Sequence, residues 1–137
     1  MLDRFEPLFD SFLIPPAVAR ETPATVQRLD WISIRPLSRP LDARIELAGL
    51  DPGEAEVLGL ALELATYTAV VDERRTRRTA LALGLPLIGV VGLLARAKRV
   101  GVLPLVRPSI EALQRSGFFV SELLIERVLH EAGEFSE

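Results

Sequence analysis

The feature that most constrains this chain is an alternation through its middle. From Asp51 to Val100, helical patterning and short apolar segments take turns. A helix is predicted over 51–65, a strand over 68–71, a helix over 73–83, a strand over 85–90 and a helix over 91–100. Asp51-Pro52-Gly53-Glu54 is the clearest start signal: Asp51 suits the N-cap, Pro52 the first helical position, and Glu54 the third, where its carboxylate can bond back to the cap. Gly84 and Gly101 stand where the next two helices close. The strands read as continuous apolar runs (Ala69-Val70-Val71; Leu85, Leu87, Ile88), as a sheet covered on both faces requires. The expected fold is therefore α/β, a parallel sheet with helices on both faces.

The flanks fit around this centre. Leu2, Phe5, Leu8 and Phe9 recur at helical spacing, and a strand over 11–14 is stopped by Pro15-Pro16. One helical turn over 17–21, a β-branched strand over 31–34 and a short helix over 42–48 follow. Helices over 108–116 and 121–132 are each followed by glycine. At 137 residues the chain is expected to form one domain over 1–137.

Residues 79–95 carry no charge, yet this run is short of the roughly 20 residues of a spanning helix. Gly84, Pro86, Gly89 and Gly92 break it into a helix end, a strand and a helix start. Residues 1–10 hold Asp3, Arg4, Glu6 and Asp10, unlike a secretory leader. A cytoplasmic protein without membrane attachment is expected. With no cysteine and a single histidine, His130, there is no disulfide framework, thiolate metal site or multi-histidine zinc site.

Charge is uneven. Residues 1–72 hold 12 acids and 6 bases, residues 73–107 one acid and eight bases, and residues 108–137 six acids and two bases. The basic segment contains Arg74, Arg75, Arg77, Arg78, Arg96, Lys98, Arg99 and Arg107. Arginine makes planar, two-point contacts with phosphate, so the segment reads either as a polyanion footprint or as a solvated helix face.

In open parallel sheets, sites form at the carboxyl ends of strands. Asp72 ends its strand and precedes a basic helix, so it can be an N-cap, a site residue or both. Glu54 fits a capping box as well as a site, Glu56 points elsewhere around the same helix, and Glu21 follows a strand and a turn. Carboxylates without histidine or cysteine suit a hard cation, and beside a basic segment they point toward phosphodiester hydrolysis.

The stretches LIPPAVARE, DWISIRPL, LDPGEAEVLGLALEL and AVVDERRTRRTALALGLPLIGVVGLLARAKRVGVLP resemble PIN-domain-like proteins, over residues 2–132. More narrowly they resemble a prokaryotic branch of nucleic-acid-binding proteins akin to the toxin nucleases of toxin–antitoxin pairs. The resemblance implies a metal-dependent single-strand endoribonuclease using Mg²⁺ or Mn²⁺. It implies RNA as substrate and an antitoxin protein as partner; a homo-oligomer is expected from the mean hydropathy of +0.29, which suggests a large buried core or a buried subunit contact. By position the resemblance assigns catalysis to Glu21, Glu54 and Asp72, with Glu54 and Asp72 as the metal ligands and Glu73 as an outer helper. Arg74, Arg75, Arg78, Arg96, Lys98 and Arg99 would hold the nucleic acid. Family members usually begin with a strand ending in an Asp-x-Ser-like stretch, whereas Met1-Leu2-Asp3 aligns beyond it, so the first strand and first aspartate are expected to be absent. A misassigned start codon, a degenerate member and completion by a second chain each account for that. Members also often carry threonine near Val90. A catalytically impaired module that binds RNA or a protein partner is the alternative function.

Overall fold

Pro15 and Pro16 end one element and begin the next. In the computed structural model, which describes residues 11–24, 29–117 and 120–134, strand β1 (Phe12–Ile14) stops at Pro15, and helix α1 (Pro16–Glu21) starts with Pro16 in its first turn. The helix predicted over 2–9 lies outside the described residues. Strand β2 (Ile32–Ile34) runs parallel to β1 with Phe12 opposite Ile32 and Ile14 opposite Ile34. The Phe12 and Trp31 rings meet edge to face at 5.6 Å.

Helices α2 (Ala43–Leu47) and α3 (Pro52–Glu63) come next. Asp42 caps α2 by accepting from the Arg44 N–H at 2.8 Å. Strand β3 (Ala69–Val70), helix α4 (Arg74–Ala82) and strand β4 (Leu87–Ile88) complete a parallel β-α-β turn, with Ala69 opposite Leu87 and Val70 opposite Ile88. Helices α5 (Val90–Arg99), α6 (Arg107–Arg115) and α7 (Glu122–Glu131) follow.

The chain is mixed α/β with parallel strands, as the alternation predicts. Among the described residues the strands are two or three residues long and bond as two separate pairs, β1–β2 and β3–β4. The uncharged run of 79–95 divides into the end of α4, strand β4 and the start of α5. Among the described residues no helix is long and apolar enough to cross a membrane. Five glycines (Gly49, Gly84, Gly101, Gly117, Gly133) take the left-handed backbone, each just beyond a helix end.

The residues cluster into two compact units, one over residues 9–89 and one containing α5 to α7. In the first, Ile45, Ala55, Leu58, Ala61, Ala69, Val71 and Ala80 form a core from α2, α3, α4 and the β3 segment. Ile45 and Leu58 are wholly buried, each contributing about 2 kcal/mol of apolar burial. Helix α3 is its hub. Gly59 has no side chain because Leu37 and Leu41 occupy that space: a Cβ there would stand 2.6 and 2.8 Å from their methyl groups. Gly53 faces Val18 of α1. From the same helix, Glu56 accepts from the Ala17 N–H at 2.9 Å and supplies the α1 cap that Pro15 cannot. Glu63 accepts from the Ser38 N–H and Oγ at 3.0 and 2.7 Å, tying down the loop after β2.

In the second unit, α5 buries Val91, Leu94, Ala95 and Ala97, and α7 buries Val128 and Leu129. In the segment after α7, one carboxylate gathers several bonds. Glu134, with its side chain only 6% exposed, accepts from the Val106 and Arg107 N–H groups and from the Lys98 ammonium. These bonds cap the start of α6 and hold α5 to the segment beyond α7.

Candidate functional site

Asp72 and a cluster of arginines stand at the carboxyl edge of the β3–β4 pair. Val71 N–H donates to the Ile88 carbonyl at 2.9 Å, one step beyond the last paired residues. Asp72 follows immediately and is exposed. The sequence leaves open whether Asp72 caps α4. The structure gives that role to Glu73, which accepts from the Thr76 N–H at 2.8 Å and from the Thr76 hydroxyl at 3.1 Å. The backbone N–H groups of Arg75 and Thr76 hold the Glu73 carboxyl below its usual range. The N-cap of α4 is thus Glu73, one residue after Asp72.

The Asp72 carboxylate lies against the end of β4. Its Oδ1 is 2.9 Å from the point a Cβ would occupy on Gly89, and Arg77 Nη1 is 3.3 Å from the same point. Arg77 is half-buried, and its Nη1 donates to the Val71 carbonyl at 2.9 Å. Arg74, Arg75 and Arg78 are exposed on α4, within six residues of Asp72. One helix thus presents three cations to solvent and turns a fourth back toward the strand ends.

The other candidates are distributed as follows. Glu54 is half-buried in the first turn of α3. The expected capping box does not close there, because the Asp51 side chain makes no capping hydrogen bond. Glu21 is exposed and is the last residue of α1. Arg96 and Arg99 are exposed on α5, which belongs to the other unit, and Lys98 of the same helix is bonded to Glu134 and to the Ala132 carbonyl. Sequence reasoning missed Arg77 and Gly89. The sequence shows Arg77 only as one of the bases of 73–107 and Gly89 only as a breaker of the uncharged run, and neither pattern ties them to Asp72.

Among the described residues no group of three histidine, aspartate or glutamate side chains is arranged to hold a metal ion. The donor chemistry still suits a hard cation, because Mg²⁺ commonly takes only one or two protein carboxylates and completes its shell with water.

Comparison with known proteins agrees with this architecture. The family DUF3368, described as a PIN domain, matches residues 1–134, spanning both units. No match to a curated protein or to a solved structure reaches significance. A family match over nearly the whole length, on a mixed α/β chain with parallel strands, settles the family: the chain belongs to the PIN-domain family.

Proposed function

We propose that this PIN domain acts on single-stranded RNA, holding the phosphate backbone with Arg74, Arg75 and Arg78 and cutting it as a metal-dependent endoribonuclease. The observation that carries the reading is the placement of Asp72. It stands exposed just beyond the carboxyl end of β3, with three exposed arginines in the helix that follows. PIN domains generally use divalent metal ions. In this chain Asp72 and Glu54 would hold Mg²⁺ or Mn²⁺, with Glu21 assisting. Such an ion supplies a bound water of lowered pKa and stabilises charge on the phosphate. The arginines need no metal for their part, since guanidinium groups pair with phosphate oxygens directly. Arg96 and Arg99, exposed in the other unit, are further cations proposed to contact nucleic acid. In its fuller form the proposal makes the chain the toxin of a toxin–antitoxin pair, self-associating and restrained by an antitoxin protein.

The test is cleavage of a labelled single-stranded RNA with Mn²⁺ present. Cleavage that chelator abolishes, and that Asp72→Asn reduces by at least tenfold with the fold intact, supports the reading. Cleavage indifferent to chelator contradicts it.

One observation favours a second reading: no three-carboxylate group forms among the described residues. In that reading the chain binds RNA without cutting it. Salt-sensitive RNA binding with no turnover at any Mn²⁺ concentration selects this reading over the first.

A further inference from the structure

We propose that Arg77 and Gly89 are positioning residues that fix where the Asp72 carboxylate stands. This rests on Asp72 being the functional acid of the proposed site, and it places there two residues that the sequence shows only as a base of 73–107 and as a breaker.

The argument begins with space. Gly89 does not have a positive φ, so its backbone conformation does not require glycine. What excludes a side chain is occupancy, since Asp72 Oδ1 lies 2.9 Å and Arg77 Nη1 3.3 Å from the Cβ position. Real Cβ contacts are essentially never below 3.0 Å, and the nearest atom belongs to a side chain that can turn. Alanine at 89 is therefore compatible with the backbone and moves the Asp72 carboxylate off the end of β4.

Arg77 supplies the second constraint. Its side chain is anchored by the bond from Nη1 to the Val71 carbonyl, the residue just before Asp72. The guanidinium is thus held beside the carboxylate by the same strand end that carries it. A guanidinium has five N–H donors, of which this bond uses one. Keeping the guanidinium in this place costs little further side-chain entropy, because Arg77 is already ordered by its backbone contact. Lysine at 77 keeps the charge but not the fork geometry that reaches the Val71 carbonyl and flanks Asp72 together.

The test reads the Asp72 side chain itself. Protein labelled with ¹³C at aspartate Cγ gives one carboxyl resonance per aspartate, and the one lost in Asp72→Asn is that of Asp72. At neutral pH, Gly89→Ala and Arg77→Met are each expected to shift that resonance by more than its linewidth. Arg77→Lys is expected to restore it only in part. Amide spectra of the rest of the first unit should stay in place. An Asp72 resonance unmoved in both Gly89→Ala and Arg77→Met, each with native amide dispersion, overturns the proposal. If one variant fails to fold, the other decides. Mn²⁺ added to the wild type tests the functional reading separately. Absence of broadening at Asp72 counts against metal binding and leaves the positioning result as measured.

Discussion

Lys98 and Glu134 are 36 positions apart in the chain and meet at 2.9 Å, with Glu134 also accepting from the Val106 and Arg107 N–H groups. The helix-flanking segments of the second unit are joined at a single carboxylate. Removing it leaves two helix-start N–H groups without their acceptor and the Lys98 ammonium with only the Ala132 carbonyl. Glu134→Ala is expected to lower stability by about 2 kcal/mol, read as a lower urea midpoint at unchanged slope. Glu134→Gln, which keeps an acceptor but loses the charge, should fall between it and the wild type.

The same carboxylates set the acid limit. Burial raises the Glu134 pKa, but the Val106 and Arg107 N–H groups and the Lys98 ammonium outweigh it and hold the carboxyl below its usual value. Glu63 is lowered by the Ser38 and Arg39 contacts, and Glu73 by the Arg75 and Thr76 N–H groups. Asp42 is pulled to about 2 by its side-chain and backbone bonds to Arg44. A carboxyl whose folded value is depressed favours the folded state above its unfolded pKa, and that contribution disappears as pH falls through the folded value. Stability is expected to be level above about pH 5 and to drop below it. The Glu63→Gln, Glu73→Gln, Glu134→Gln combination should flatten that drop, as urea midpoints between neutral pH and pH 3 would show. An equally steep drop in the triple variant would refute the assignment.

Glu56 gives a test of how α1 is held. Its Oε1 accepts from Ala17 N–H, 39 positions earlier, at the start of a helix whose own cap is proline. Glu56→Ala is expected to cost about 1 kcal/mol, the usual worth of a helix cap. Hydrogen exchange should quicken in α1 more than in α4, which carries its own cap at Glu73.

Gly59 tests the packing of α3. A methyl group there meets Leu37 and Leu41 at 2.6 and 2.8 Å, so Gly59→Ala forces two leucine side chains to move. An expected loss of about 1–2 kcal/mol follows from overpacking, offset in part by alanine's better helix propensity. Leu37→Ala in the same background should restore part of the midpoint; no recovery would show that the clash is not the cause.

Elements governed by local chemistry were legible in the sequence. Gly84, Gly101, Gly117 and Gly133 stand where the pattern ends each helix, and all four have positive φ. Pro16 and Pro52 both sit at helix starts. Strand 85–90 shrank to Leu87–Ile88 because only two residues pair with β3, and Val90 already belongs to α5. Asp72 was legible as a candidate from its place after a strand, but that Glu73 rather than Asp72 caps α4 was not, since the two compete for the same helix start. Long-range carboxylate bonds such as Glu56–Ala17 and Lys98–Glu134 leave no local pattern, because spacing along the chain carries no record of which helix start a distant acid will meet.

The salt dependence of binding to a short single-stranded RNA tests the central claim most directly. Arg74, Arg75 and Arg78 should each neutralise one phosphate, so replacing all three with glutamine should reduce the log–log slope by about 2, roughly 0.7 per contact on a single strand. Binding should also weaken, with the melting temperature unchanged. A wild-type chain that does not bind RNA, or a triple variant with the wild-type slope, would contradict the account.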